Sequence, residues 1–153
     1  MKLDVSLTVN GEAVSARIEP RQHLVDFLRE VLDLTGSHAG CEHGVCGACS
    51  LIVNGEMVRG CLMLAVQAEG AEVWTVEGLT ETGAIAALQD AFVARNALQC
   101  GFCTPGMLVA AATLLKANPH PTREEIREGI SGNYCRCTGY HAIVDAIEQA
   151  ARA

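Results

Sequence analysis

The chain has 153 residues, of which 50% are hydrophobic, 19% charged and 4% aromatic. That is enough apolar material for one domain of ordinary size or two small ones, and too much for a disordered chain. Its 11 basic and 18 acidic side chains leave a formal charge of -7, the wrong sign for a protein that must neutralise phosphates, so no nucleic acid partner is expected. The longest apolar runs, such as Met107 to Ala112, fall far short of the roughly 20 residues of a membrane span. The opening Met1-Lys2-Leu3-Asp4-Val5-Ser6 offers neither a signal-peptide core nor a twin-arginine pair, so a cytoplasmic location is expected.

Leu3, Val5, Leu7 and Val9 alternate with Asp4, Ser6 and Thr8, the period of a half-buried strand. Asn10-Gly11 supplies a tight turn, and Val14, Ala16 and Ile18 continue the alternation on the return strand. After Pro20, the helical spacing of Leu24, Phe27, Leu28, Val31 and Leu32 predicts a helix across this hairpin, with Gly36 as its stop. Leu51 to Val53, the turn Asn54-Gly55, Met57-Val58 and Val73 to Val76 predict further short strands. Near residue 80 the composition shifts: Val falls from 11 to 3 and Ala rises from 7 to 15, while the charge balance moves from -6 to -1. Two small domains are expected, residues 1–78 and 79–153, with a polar joint over 77–83. The first is an α+β unit.

The second half predicts four helices, over 84–96, 105–118, 123–130 and about 140–151, packed as a small bundle. Thr104-Pro105 places a cap residue before a first-turn proline, and Thr122 followed by Glu125 has capping-box spacing. The second of these helices is apolar on every side between Met107 and Leu115. That suits the central core helix, the alternative being a helix that also faces a partner subunit.

Eight cysteines carry the chemistry. Their share is below that of disulfide scaffolds, and in a reducing compartment clustered thiols serve metal ligation or redox exchange. Cys41, Cys46, Cys49 and Cys61 are separated by four, two and eleven residues, and the first three have the plant-type ferredoxin spacing for a 2Fe-2S cluster. Gly44 and Gly47 let the intervening backbone curl so that amide N–H groups face the sulfurs. His43 lies in this loop but is expected to face solvent, since four cysteines fill the four ligand positions. The second set is Cys100 and Cys103, then Cys135 and Cys137, each pair just before a predicted helix whose positive dipole end favours thiolate. A four-thiolate zinc site is the alternative chemistry for either set. There is no G-x-G-x-x-G, G-x-S-x-G or H-E-x-x-H, so the chain is expected to hold electrons rather than an organic substrate and to act as a relay.

The segments Gly40-Cys41-Glu42-His43-Gly44-Val45-Cys46-Gly47-Ala48-Cys49, Gln99-Cys100-Gly101-Phe102-Cys103-Thr104-Pro105-Gly106-Met107 and Gly132-Asn133-Tyr134-Cys135-Arg136-Cys137-Thr138-Gly139-Tyr140 together resemble one family. It is the small iron-sulfur subunit of the molybdenum hydroxylases, the xanthine oxidase and carbon monoxide dehydrogenase group, and the resemblance spans nearly the whole chain. It implies a plant-ferredoxin-like β-grasp domain followed by a four-helix bundle domain, each with one 2Fe-2S cluster held by the eight cysteines. It also implies a heterotrimer, compatible with a doubled one, in which a large subunit carries molybdopterin and a medium subunit carries FAD. The helical cluster would face the pterin, with Gln99 and Cys137 approaching it, although Gln99 as a capping or packing residue stays open. An independent two-cluster ferredoxin is the alternative function.

Overall fold

The computed structural model describes residues 1–153. Strands β1 (Leu3–Val9) and β2 (Glu12–Ile18) pair antiparallel across Asn10-Gly11, with Leu3 opposite Ile18 and Val9 opposite Glu12. Both turn residues have positive φ, 52° and 85°, as does the second Asn-Gly turn, Asn54 at 50° and Gly55 at 85°, which joins β3 (Ser50–Val53) to β4 (Glu56–Arg59). Such turns match the right-handed twist of the strands they join. A short β5 (Glu72–Trp74) lies in the middle, parallel to β1 and antiparallel to β3, giving the order β2-β1-β5-β3-β4. The result is a mixed α+β architecture, as the sequence suggests. Val5, Leu7, Val9, Leu51 and Val73 point to one face and bury against Leu24, Phe27 and Leu28.

The helix expected after Pro20 is shorter and wider than its spacing suggests. Helix α1 (Leu24–Asp26) runs at once into a π-helical turn, Phe27–Val31, in which the Leu32 amide reaches back to the Phe27 carbonyl. The widened turn puts Phe27 and Leu28 side by side in the core, both fully buried. It ends before Gly36: Asp33 has φ 56°, and Arg29 Nη1 donates to the carbonyls of Thr35 (2.7 Å) and Ser37 (2.9 Å), pulling the chain away from the helix axis.

The stretch expected as a polar joint is itself helical, α2 (Val76–Glu81). Its start is held by Thr75, whose amide donates to Asn10 Oδ1 (2.9 Å), and by Glu77, whose carboxylate accepts from Thr75 Oγ1 and the Gly36 amide, each at 2.6 Å. Four helices follow: α3 (Ala86–Ala94), α4 (Thr104–Ala117), α5 (Arg123–Gly129) and α6 (His141–Ala150). Each lies within two residues of a stretch that caps and spacing mark out. The Thr122 and Glu125 capping box is present, with the Thr122 amide donating to Glu125 Oε2 at 2.7 Å. Arg123 joins α5 to Asp145 and Glu148 of α6, both at 2.8 Å, a half-exposed pair of contacts that adds little stability.

Helix α4 is buried from Gly106 to Ala111, half-buried from Ala112 to Leu115 and exposed at Lys116 and Ala117. It packs on α2, α3 and α5 and against β3 and β4. Ile52 and Met57 leave the sheet on the face opposite Leu51 and join the helical core of Phe92, Met107, Ile126 and Ile147. The contact is close: a Cβ on Gly106 would meet the Gly47 carbonyl oxygen at 2.2 Å. Gly106→Ala is therefore expected to lower the unfolding free energy by about 3 kcal/mol, as forced overpacking against backbone does. Gly55→Ala, where only the positive φ resists, should cost about 1 kcal/mol. Urea unfolding midpoints at unchanged slope check both.

Candidate metal centres

All eight cysteines are free thiols. Cys41, Cys46 and Cys49 lie on the loop entering β3, which turns through positive φ at Glu42 (57°), Gly44 (84°) and Gly47 (75°). The turning aims amides inward. Val45 N and Cys46 N lie 3.3 Å and 3.4 Å from Cys41 Sγ, and Ala48 N lies 3.5 Å from Cys46 Sγ. The amides of Cys46 and His43 outweigh burial and bring the Cys41 thiol down to about 6. Cys61 follows β4 and is buried beside Cys49 under Val25. Burial, then the neighbouring Cys49, pushes its thiol up to about 11. His43 is used by its own loop, its Nδ1 2.6 Å from the Cys41 carbonyl.

The second set is built around the start of α4. Cys103 is the residue that caps this helix, one position earlier than Thr104-Pro105 suggests, so Pro105 is the second helical residue. Burial, then the adjacent Cys135, pushes the Cys103 thiol up to about 12. For Cys135 burial also acts upward, yet its thiol ends below the usual range. Thr138 supplies both its hydroxyl (3.1 Å) and its amide (3.4 Å) to the sulfur, and the Cys137 amide and the Cys103 thiol add to them. The Cys135 amide in turn donates to the Tyr140 hydroxyl at 2.9 Å. Cys100 and Cys137 are exposed. Gln99 Nε2 donates to the Cys137 carbonyl at 3.1 Å, bringing together the two residues the resemblance places near the pterin.

Six of the eight thiols thus meet in pairs: Cys41 with Cys46, Cys49 with Cys61, and Cys103 with Cys135. Cys41 is close enough to Cys61, and Cys100 to Cys103, for their charges to interact. No three potential ligands converge on a point fit for a single ion. Pairing is the donor arrangement of a two-iron cluster, in which each iron takes two thiolates. All-sulfur donors with amide and hydroxyl groups aimed at them fit such a cluster.

Between the two cysteine sets lies a polar knot that sequence spacing alone does not reveal. The Tyr134 amide donates to the Cys46 carbonyl at 2.8 Å. Asn133 Nδ2 donates to the Gly47 carbonyl at 3.0 Å, and Arg59 Nη2 to the Gly132 carbonyl at 2.7 Å. On the far side His38 stacks on Phe102 with ring centroids 4.7 Å apart, its Nδ1 2.7 Å from the Phe102 carbonyl. Asn133 and Phe102 lie inside the cysteine motifs, but nothing local marks Arg59 or His38 as their partners.

Residues 7–79 match the family model of the 2Fe-2S iron-sulfur cluster binding domain, and residues 75–148 that of a second 2Fe-2S binding domain. The chain is 55% identical over 147 residues to the caffeine dehydrogenase subunit gamma of Pseudomonas sp. (strain CBB1), covering 94% of this chain and 88% of that one. It is 50% identical over 146 residues to the nicotine 6-hydroxylase small subunit of Paenarthrobacter nicotinovorans, covering 95% and 88%. The crystal structure of quinoline 2-oxidoreductase from Pseudomonas putida 86 superposes with a TM-score of 0.94 at 52% identity, covering 99% of this chain and 95% of that one. Aldehyde oxidoreductase from Desulfovibrio desulfuricans gives 0.89 at 44% identity, covering 97% of this chain and 17% of that much longer one. These matches define a chain with two 2Fe-2S binding domains. It belongs to the family of small iron-sulfur subunits of the molybdenum hydroxylases.

The thiol environments predict an order of alkylation in the metal-free, folded chain. The Cys41 rate should rise with a midpoint near pH 6 and be at its plateau by about pH 8, because the thiolate is the nucleophile. Cys103, held near 12, should stay unlabelled there. Peptide mapping after a timed iodoacetamide pulse checks the order.

Proposed function

We propose that this chain carries electrons from a molybdopterin-bearing large subunit to an FAD-bearing medium subunit through two 2Fe-2S clusters. One cluster is held by Cys41, Cys46, Cys49 and Cys61 and the other by Cys100, Cys103, Cys135 and Cys137. The ligand sets belong to a ferredoxin-like domain, residues 1–78, and to a four-helix domain, residues 79–153, and the complex works in the cytoplasm. The observation that carries this is the junction itself: two thiol sets are joined by the 2.8 Å hydrogen bond from the Tyr134 amide, beside Cys135, to the Cys46 carbonyl.

Each cluster, when bound, supplies storage for one electron at a time. The chain's own groups set how readily that charge is accepted. Amides of His43, Val45 and Cys46 at the Cys41 sulfur, and both donors of Thr138 at Cys135, stabilise added negative charge. Direction comes from the surface. Within three residues of the exposed Cys100 and Cys137 along the chain are Leu98, Phe102 and Tyr134, of which Phe102 is 47% and Tyr134 54% exposed. The half containing them carries a balance of only -1 against -6 in the first half. Burying uncompensated charge is costly, so this apolar and nearly neutral edge suits the deeper interface with the large subunit. There Gln99, by holding the Cys137 carbonyl, fixes the loop presented to the pterin.

Metal analysis and electron paramagnetic resonance test the two ligand sets. The pure chain should bind about four iron atoms and no stoichiometric zinc, with two reduced signals. Cys46→Ser should abolish the first cluster and spare the second, and Cys103→Ser the reverse. Loss of both from either change, in protein that stays folded, would contradict separate sites. Thr138→Val removes a donor from Cys135, and redox titration should show a more negative potential for the second cluster with the first unchanged.

A further inference from the structure

Asn133 is 2% exposed, and its Oδ1 is buried without a hydrogen-bond partner. An orphaned acceptor in that position is costly, so the side chain is held there by what its other end does. Its Nδ2 donates to the Gly47 carbonyl, between Cys46 and Cys49, and lies 3.3 Å from Ser50 Oγ. Turning the amide over would set oxygen against oxygen at Gly47, so the orientation is fixed by its partner. Arg59 closes the knot by donating to Ser50 Oγ with one guanidinium nitrogen and to the Gly132 carbonyl with another. No Cβ fits at Gly47, where Gly132 O and the Asn133 side chain would lie at 2.6 Å and 2.7 Å. Immediately beyond Asn133, the Tyr134 amide reaches the Cys46 carbonyl.

We propose that Asn133 is a positioning residue for the relay: its amide, braced by Arg59, fixes the separation of the two cysteine loops by holding the Tyr134 amide on the Cys46 carbonyl. The inference rests on the two-cluster function above. Asn133 touches neither thiol set and acts through the backbone of both.

The test uses the cluster-loaded chain and two variants, Asn133→Ala, which removes the donor, and Asn133→Asp, which keeps the shape but places an acceptor against Gly47. Each should speed hydrogen exchange at the Tyr134 amide roughly tenfold, the effect of one lost hydrogen bond. Each should also narrow the dipolar splitting between the two reduced clusters, while iron content and each cluster's own signal stay as in the parent. Unchanged Tyr134 exchange and unchanged splitting, with both clusters present, would overturn the proposal. If both Asn133 variants lose iron, Arg59→Met decides: it keeps an unbranched side chain but donates to neither Ser50 nor Gly132, so faster Tyr134 exchange supports the proposal and parental exchange overturns it. Iron well below about four per parent chain would count against the two-cluster function, leaving Tyr134 exchange to judge the positioning role separately.

Discussion

The carbonyl oxygen of Gly47 lies where the two halves of the molecule meet, and it accepts from the Ser50 amide (3.1 Å), the Ser50 hydroxyl (2.6 Å) and the Asn133 amide (3.0 Å). The same oxygen lies so close to α4 that Gly106 has no room for a side chain. Ser50 is 1% exposed and Asn133 2%, so these bonds form away from water, where leaving them unmade is expensive. The consequence reaches both thiol sets. Cys46 and Cys49 flank Gly47 on one chain segment, Cys135 is two residues beyond Asn133 on another, and Cys103 caps the helix that carries Gly106. Fixing one carbonyl oxygen fixes three of the four segments that carry cysteines.

Within that frame the local environments of the sulfurs differ in a consistent way. Cys41 and Cys135, each of which accepts two hydrogen bonds, have thiols below the usual range, whereas burial holds the thiols of Cys61, beside Cys49, and Cys103, beside Cys135, well above it. Desolvation disfavours the charged form, and only directed N–H or O–H groups reverse it. A loop that supplies such groups before metal arrives is pre-organised for thiolate ligands and for the charge that comes with reduction. The two sets also differ in their contact with water. Cys49 and Cys61 are buried, whereas Cys100 and Cys137 are exposed beside apolar side chains, a surface suited to cover by another subunit.

Much of this was legible in the sequence because it depends on short-range rules. Asn10-Gly11 and Asn54-Gly55 demanded positive φ at neighbouring positions and produced hairpins. Thr122 and Glu125 announced a helix start, and the spacing of Cys41, Cys46 and Cys49 announced a loop that wraps around its own sulfurs. The departures arise from distant partners. Helical spacing between Leu24 and Leu32 gave no sign of the π turn over Phe27–Val31, nor that Arg29 would capture Thr35 and Ser37 beyond it. Residues 77–83 carry polar and glycine residues that suit a joint, yet Asn10 and Gly36, far away in sequence, anchor Thr75 and Glu77 and start α2. The mostly apolar surface of α4 suggested a core helix, but the sheet face that covers part of it, with Ile52 and Met57, follows only from the way the halves pack. Arg59 looks like an ordinary strand-end cation until Gly132 is brought beside it.

The central claim, that eight thiols form two separate two-iron sites in this one chain, is tested most directly by Mössbauer spectroscopy of the isotopically enriched protein. In the oxidised chain every iron should show the parameters of tetrahedral, sulfur-ligated ferric ions paired to a diamagnetic state. Full reduction should convert half of the iron to the ferrous form, in two distinguishable sets. Iron in isolated mononuclear sites, or only one paired set in fully loaded protein with zinc filling the other, would contradict the account.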